Sequence, residues 1–251
     1  MSRVFLSTLL SVTMVKHLQA VSNDYIALSA LYKDTNGPEW GSKENWMVGT
    51  DPCDETNPWY NTGGMTCDGT NITKFDMITN DISGSLPTEF GLLLHVTQVS
   101  FADNTLTGSL PTEIGMLERI LKADGVNFLS NRLSGQVPTE IGSLTLLQKN
   151  LWLAENSLSG SLPTEIGRLT LMTKQLQLES NHLTGLIPTE LGLLVAMTAS
   201  LELQSNSFCG EIPPQVLALD GVTYSANSLG TACPAPAPTA APTGNPTASP
   251  T

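Results

Sequence analysis

Between Ile82 and Pro213 the apolar and polar positions repeat one pattern. Leu-x-Leu is followed by Asn, then x-Leu-Ser/Thr-Gly, then an apolar residue and Pro-Thr-Glu, then a leucine-rich run. The prolines of successive copies are Pro87, Pro111, Pro138, Pro163, Pro188 and Pro213, in steps of 24, 27, 25, 25 and 25 residues. A period in the twenties of this kind predicts stacked coils, because one strand plus one return segment cannot bury its own apolar face. Leu151 and Leu153 alternate with Trp152, so a short strand puts both leucines inside and the tryptophan outside. The same alternation predicts seven strands, centred on the outward residues Asp76, Ser100, Asn127, Trp152, Gln177, Glu202 and Thr223. A second outward column holds Ile78, Ala102, Leu129, Ala154, Glu179, Gln204 and Ser225. Phe75, Met77, Val99, Phe101, Leu176, Leu178, Leu201 and Leu203 are assigned to the core.

The polar residues of the pattern have physical roles of their own. Asn80, Asn104, Asn131, Asn156, Asn181, Asn206 and Asn227 occupy one column, where an Asn side chain can pair backbone groups that a turning strand leaves open. The glycine that follows each turn marks an unusual backbone dihedral, and the proline after it opens a brief helical turn. Glu89, Glu113, Glu140, Glu165 and Glu190 then stand near helix N-termini, where negative charge is mildly favoured.

Leu-x-x-Asn-x-Leu-Ser-Gly-x-Leu-Pro resembles the plant-type extracellular leucine-rich repeat of receptor-like proteins, receptor-kinase ectodomains and polygalacturonase inhibitors, over roughly residues 73 to 233. The resemblance implies an α/β repeat solenoid, a right-handed leucine-rich repeat superhelix. Its parallel sheet would be concave and its convex segments short and helical. The added residue of the 25-residue steps falls just before the strand, as in Leu147-Gln148-Lys149-Asn150-Leu151. The 27-residue step, over Leu121-Lys122-Ala123-Asp124-Gly125-Val126, predicts a small bulge at one rim of the concave face.

Residues 1–22 read as a secretory signal peptide, with Arg3, an apolar run from Val4 to Val15, and Ala20-Val21-Ser22 for cleavage before Asn23. Asn23 or Asp24 is expected to cap a helix carrying Ala27, Leu28, Leu31 and Tyr32 on one face, stopped by Gly37-Pro38. With Trp40, Trp46, Cys53, Trp59, Tyr60 and Cys67, residues 23–72 resemble the N-terminal cap that precedes plant-type repeats. An open first coil needs such a cover. Residues 73–233 hold the repeats and a C-terminal cap.

The four cysteines allow three pairings, and sequence alone does not choose. Solenoid geometry does. With coils about 4.8 Å apart the two clusters stand roughly 30 Å from each other, beyond disulfide reach. The pairs are therefore Cys53–Cys67 and Cys209–Cys233, one clamp at each end; the long spacings argue against zinc.

Composition narrows the partners. A net charge of −12 argues against nucleic-acid phosphate and against anionic lipid. Asn71-Ile72-Thr73 is an N-glycosylation sequon. Residues 234–251 turn to Pro, Ala, Thr and Ser and read as an extended tail with no apolar span after it. No transmembrane segment is read anywhere in the chain, and a monomer is expected. Neither a nucleophile elbow, a phosphate loop, a zinc motif nor a dinucleotide fingerprint is present, so no enzyme activity, metal or cofactor is expected.

The reading is a secreted or cell-surface, wall-associated recognition module. It would bind an extracellular protein, peptide or glycan through Asp76, Ser100, Asn127, Trp152, Gln177 and Glu202, with Trp152 as the aromatic anchor. Two alternatives stand beside it. An inhibitor of a wall-degrading hydrolase is implied by the resemblance, although the acidic face lends it no support. An ice-binding or structural surface protein would use the column Thr88, Thr112, Thr139, Thr164 and Thr189.

Overall fold

The computed structural model describes residues 22–41, 51–54, 64–120 and 125–234. Most of the signal segment, Trp46, Trp59, Tyr60, residues 121–124 of the expected rim bulge and most of the tail lie outside the described residues.

The first helix, α1 (Asn23–Asp34), is capped by Ser22 and not by Asn23 or Asp24: the Ser22 hydroxyl accepts from the Tyr25 amide at 3.1 Å. Asp24 is buried and does something else, accepting at 2.7 Å from the amide of Ile72, 48 residues away, and so tying the helix to the first coil. Burial pushes its carboxyl above the ordinary value, against that hydrogen bond. Ala27, Leu28 and Leu31 face the core. Tyr32 meets Trp40 edge-on at 5.3 Å, and the Trp40 indole donates to Thr35 O at 2.8 Å. Together these residues close the open end of the stack.

Eight strands form the concave sheet: β1 (Met65–Asp68), β2 (Asn71–Asp76), β4 (Gln98–Ser100), β6 (Val126–Asn127), β8 (Leu151–Trp152), β10 (Leu176–Gln177), β12 (Leu201–Glu202) and β14 (Val222–Thr223). β1 and β2 form an antiparallel hairpin, and every later pairing is parallel. Register places Asp76, Ser100, Asn127, Trp152, Gln177, Glu202 and Thr223 in one rank across seven strands.

Each copy contributes a second strand, where the sequence reading gave it one. β3 (Ser83–Ser85) pairs with β5 (Thr105–Thr107), while β7 (Ser134–Gly135), β9 (Ser157–Ser161), β11 (His182–Leu186), β13 (Ser207–Gly210) and β15 (Ser228–Leu229) make a five-stranded flanking sheet. In β9, Ser-Leu-Ser-Gly-Ser buries only its leucine, and Gly160, inside the strand, takes a φ of 75° that glycine tolerates.

The asparagine column forms the corner between the two sheets. The residue before each Asn is left-handed, as at Glu155 with a φ of 53°, and this swings the Asn side chain inward. Asn156 Nδ2 donates to Phe128 O at 2.9 Å, Leu153 O at 3.2 Å and Ala154 O at 3.0 Å; its Oδ1 accepts from Leu133 N at 2.9 Å. Asn104, Asn131, Asn181, Asn206 and Asn227 repeat the arrangement.

On the convex side, short 3₁₀ turns run over Thr88–Leu92, Thr112–Met116, Thr139–Ser143, Thr164–Arg168 and Thr189–Leu193. The preceding proline stands outside each turn as an extended N-cap, so it precedes the helical turn and does not form its first residue. Coils approach closely here: a Cβ on Gly167 would lie 2.4 Å from Glu190 O. Inside, Phe75, Phe101 and Phe128 succeed one another with ring centroids 5.5 Å apart, and leucines continue the column through Leu153, Leu178 and Leu203. The disulfides are Cys53–Cys67 and Cys209–Cys233, with Cα separations of 5.8 and 5.1 Å.

Candidate functional site

Parallel pairing fixes which side chains share the concave face, and neighbouring side-chain size decides how much of each remains open. Asp76, Trp152, Gln177 and Glu202 are half-buried and Thr223 is exposed, but Ser100 and Asn127 are only 1% and 5% exposed. The rank read from the sequence is thus present, with two of its six candidate contact residues sunk beneath their neighbours. In the second column Ala102 and Ala154 are buried, Leu129, Glu179 and Gln204 are half-buried, and Ile78 is exposed.

The two ends of this face differ in charge. At the N-terminal end Lys74 Nζ lies 3.3 Å from an Asp76 carboxylate oxygen, so opposite charges meet on one strand. At the C-terminal end Glu202 collects donors: Gln177 Nε2 and the Ser200 hydroxyl on Oε1, and Gln204 Nε2 on Oε2. The Thr223 hydroxyl donates in turn to Gln204 Oε1. Glu155, at the corner, accepts from the Ser130 hydroxyl at 2.6 Å. Lys74, Glu155 and Ser200 are members of this surface that alternation alone did not single out. Their partners are either two residues away along a strand or a full coil away, which a reading of one copy at a time does not join.

Three buried side-chain atoms on this face have no hydrogen-bond partner: Ser100 Oγ, Trp152 Nε1 and Glu179 Oε2. These are the only such atoms among the described residues, and all three belong to one face. An unpaired buried polar group costs about 1–3 kcal/mol, so their concentration marks this face as the part of the molecule whose polar groups are least satisfied internally. Burial pushes the Glu179 carboxyl above its ordinary value, opposed by a hydrogen bond from its own amide and reinforced by the carboxylates of Glu202 and Glu155.

The second strands of the coils, in the β3–β5 pair and the flanking sheet, carry a different surface. Thr105, Thr107, Ser134 and Ser159 each donate a hydroxyl to a carbonyl of the preceding coil, those of Ile82, Gly84, Gly108 and Gly135. The threonine column proposed for ice is chemically unlike it. Thr88, Thr112, Thr139, Thr164 and Thr189 are exposed, yet each hydroxyl donates to the adjacent glutamate at 3.1–3.3 Å, which sets a negative charge beside every threonine. Asn71, the sequon residue, is half-exposed at the start of β2. Among the described residues no group of three or more His, Cys, Asp or Glu side chains is placed to hold a metal ion, and no helix is long and apolar enough to cross a membrane.

No family model and no curated protein matches the chain. Solved structures do. A plant ice-binding protein matches at 27% identity and a TM-score of 0.66, over 82% of this chain and 64% of its own. The plant peptide hormone receptor RGFR1 in complex with RGF2 matches at 32% identity and a TM-score of 0.51, over 62% of this chain and 28% of its own. The BIR2 ectodomain from Arabidopsis thaliana shares the fold at 20% identity and a TM-score of 0.54, over 84% of this chain and 95% of its own. The chain therefore spans less than two thirds of the first two proteins. It has the fold of plant extracellular leucine-rich repeat ectodomains, as the repeat pattern implied.

Proposed function

We propose that the chain is a secreted or cell-surface, non-catalytic recognition module that captures an extracellular peptide or protein segment on its concave sheet, around Trp152. The observation that carries this reading is the partly exposed Trp152 ring, standing in one rank with the partly exposed polar side chains of Asp76, Gln177 and Glu202. An aromatic ring among polar neighbours offers a ligand contact area at low entropic cost, with hydrogen-bonding side chains beside it. Two disulfides fit an oxidising compartment, and a structural match with a peptide hormone receptor in complex with RGF2 fits a peptide ligand. Binding would proceed on a preformed platform, since corner asparagines and parallel pairing hold the repeat strands of the face. The test is calorimetric titration of peptides fractionated from extracellular fluid. Trp152→Ala is expected to weaken capture at least about tenfold, the usual penalty for losing an aromatic anchor, with the unfolding midpoint little changed. Undiminished capture by the variant would end the concave-face reading.

A second reading has its own support. The plant ice-binding protein is a match at 27% identity, and the flanking sheet displays hydroxyls at regular coil spacing without carboxylates bonded to them. If ice is the ligand, thermal hysteresis should be measurable and should vanish in Ser159→Lys while surviving Trp152→Ala. Hysteresis that depends on Thr139 and Thr164 would instead assign it to the convex threonines.

A further inference from the structure

We infer that Asn71 carries an N-linked glycan whose first sugars lie in a groove that runs from the β1–β2 hairpin past Leu92, Leu94 and His95 to Met116. This rests on the secretory part of the reading above and is independent of the concave face.

The attachment chemistry is written in the chain. Asn71-Ile72-Thr73 is its only Asn-x-Ser/Thr sequence in which x is not proline. The co-reactant is a lipid-pyrophosphate-linked oligosaccharide of the secretory pathway. Sugar C1 bonds to Asn71 Nδ2 while its bond to the pyrophosphate oxygen breaks. The lipid pyrophosphate leaves with that electron pair, and the amide gives up one proton.

The folded chain has room for the product at this asparagine. Corner asparagines do not, because their Nδ2 atoms are spent on buried carbonyls, as Asn104 and Asn156 show. Asn71 is placed differently. It opens β2 opposite Asp68 at the end of the hairpin and is half-exposed. Its side chain takes part in no hydrogen bond among the described residues, and its amide is not one of the buried unpaired atoms. Nδ2 is therefore open to solvent, and a bulky substituent there displaces nothing.

What lies beside Asn71 suits a sugar. A cleft of about 180 Å³ is lined by Asn71, Thr70, Leu92, Leu94 and His95, with the start of α1 on its other wall. A second cleft, of about 400 Å³, is lined by Leu94, His95, Met116, Glu118 and Arg119. Leu94 and His95 border both, so the two form one groove leading away from the attachment point. Its chemistry is mixed. Leu94 and Met116 are 38% and 47% exposed and offer apolar area to the C–H face of a sugar ring. His95, Glu118 and Arg119 offer donors and acceptors to the ring hydroxyls. A glycan seated there covers aliphatic surface that is otherwise left to water.

The experiment secretes the full chain from yeast and compares its intact mass, and the mass of the peptide holding Asn71, before and after peptide-N-glycosidase. Wild type is expected to lose carbohydrate mass and to gain Asp at position 71. Thr73→Ser should keep the carbohydrate, while Asn71→Gln and Thr73→Ala should lack it. Seating in the groove is read from Met116: its oxidation by hydrogen peroxide should quicken at least about threefold once the glycan is removed. Slow oxidation of the buried Met77 and Met172 in both samples shows that neither has unfolded. A secreted chain with unmodified Asn71 would overturn the inference and leave the secretory reading standing. A chain held in the cell with residues 1–22 still attached would overturn both. A glycan whose removal leaves Met116 oxidation unchanged would overturn its seating in the groove.

Discussion

The concave and flanking sheets are built from the same coils and meet at the same asparagines, yet they treat their polar groups in opposite ways. On the flanking side, in β5, β7 and β9, Thr105, Thr107, Ser134 and Ser159 spend their hydroxyls on carbonyls of the coil before. On the concave sheet Ser100, Trp152 and Glu179 keep an atom that nothing pairs. One surface is complete in itself and holds the stack together; the other carries an unmet demand for donors and acceptors. In a solenoid, where each coil contacts only its neighbours, that demand is not met from elsewhere in the fold.

The strongest way to break this comparison is at the corner where the sheets join. Asn156→Ala removes a side chain bonded to carbonyls of Phe128, Leu153 and Ala154 on the concave side and to the amide of Leu133 on the flanking side. Alanine leaves these buried groups without partners, a cost of about 2–4 kcal/mol. The expected result is a large fall in the urea midpoint. A small fall would mean that the two sheets hold together without the ladder.

A weaker effect, opposite in sign, belongs to the concave sheet alone. Burial raises the Glu179 pKa in the folded chain, so its contribution to stability is fully present below the unfolded value and is lost as pH rises through the folded value. At neutral pH the ionised carboxylate is a burden. Glu179→Gln should therefore raise the unfolding midpoint at pH 7, and the gain should fade as pH falls through the carboxylate range. A loss of stability at pH 7 would show that Glu179 has a hidden partner and that the demand on this face is smaller than described.

Much of this was legible in the sequence because a repeat states its rules several times. The asparagine column, the rank from Asp76 to Thr223 and both disulfides follow from period, alternation and coil spacing. The flanking sheet was not legible. β9 holds one buried leucine among serines and a glycine, too few apolar positions to signal a strand, and it forms because the corner delivers it beside a neighbour already extended. Nor was the burial of Ser100 and Asn127, because alternation tells which face a side chain takes and not how far its neighbours overtop it. The Ser22 cap was missed for a related reason: Asp24 has a good capping side chain, but tertiary contact with Ile72 claims it.

The smallest effect sharpens the comparison from the flanking side. Thr107, the exposed last residue of β5, donates to Gly84 O at 3.0 Å, where water competes for the bond. Thr107→Val keeps the shape and the β-branched fit of the strand while removing the bond, so the cost should be under about 1 kcal/mol. Peptide capture on the concave sheet should be unaltered, since the Thr107 hydroxyl pairs with Gly84 O and not with a concave residue. A drop in capture from this substitution would show that the flanking hydroxyls set the geometry of the concave rank, and the division into a self-satisfied sheet and a receptive one would have to be withdrawn.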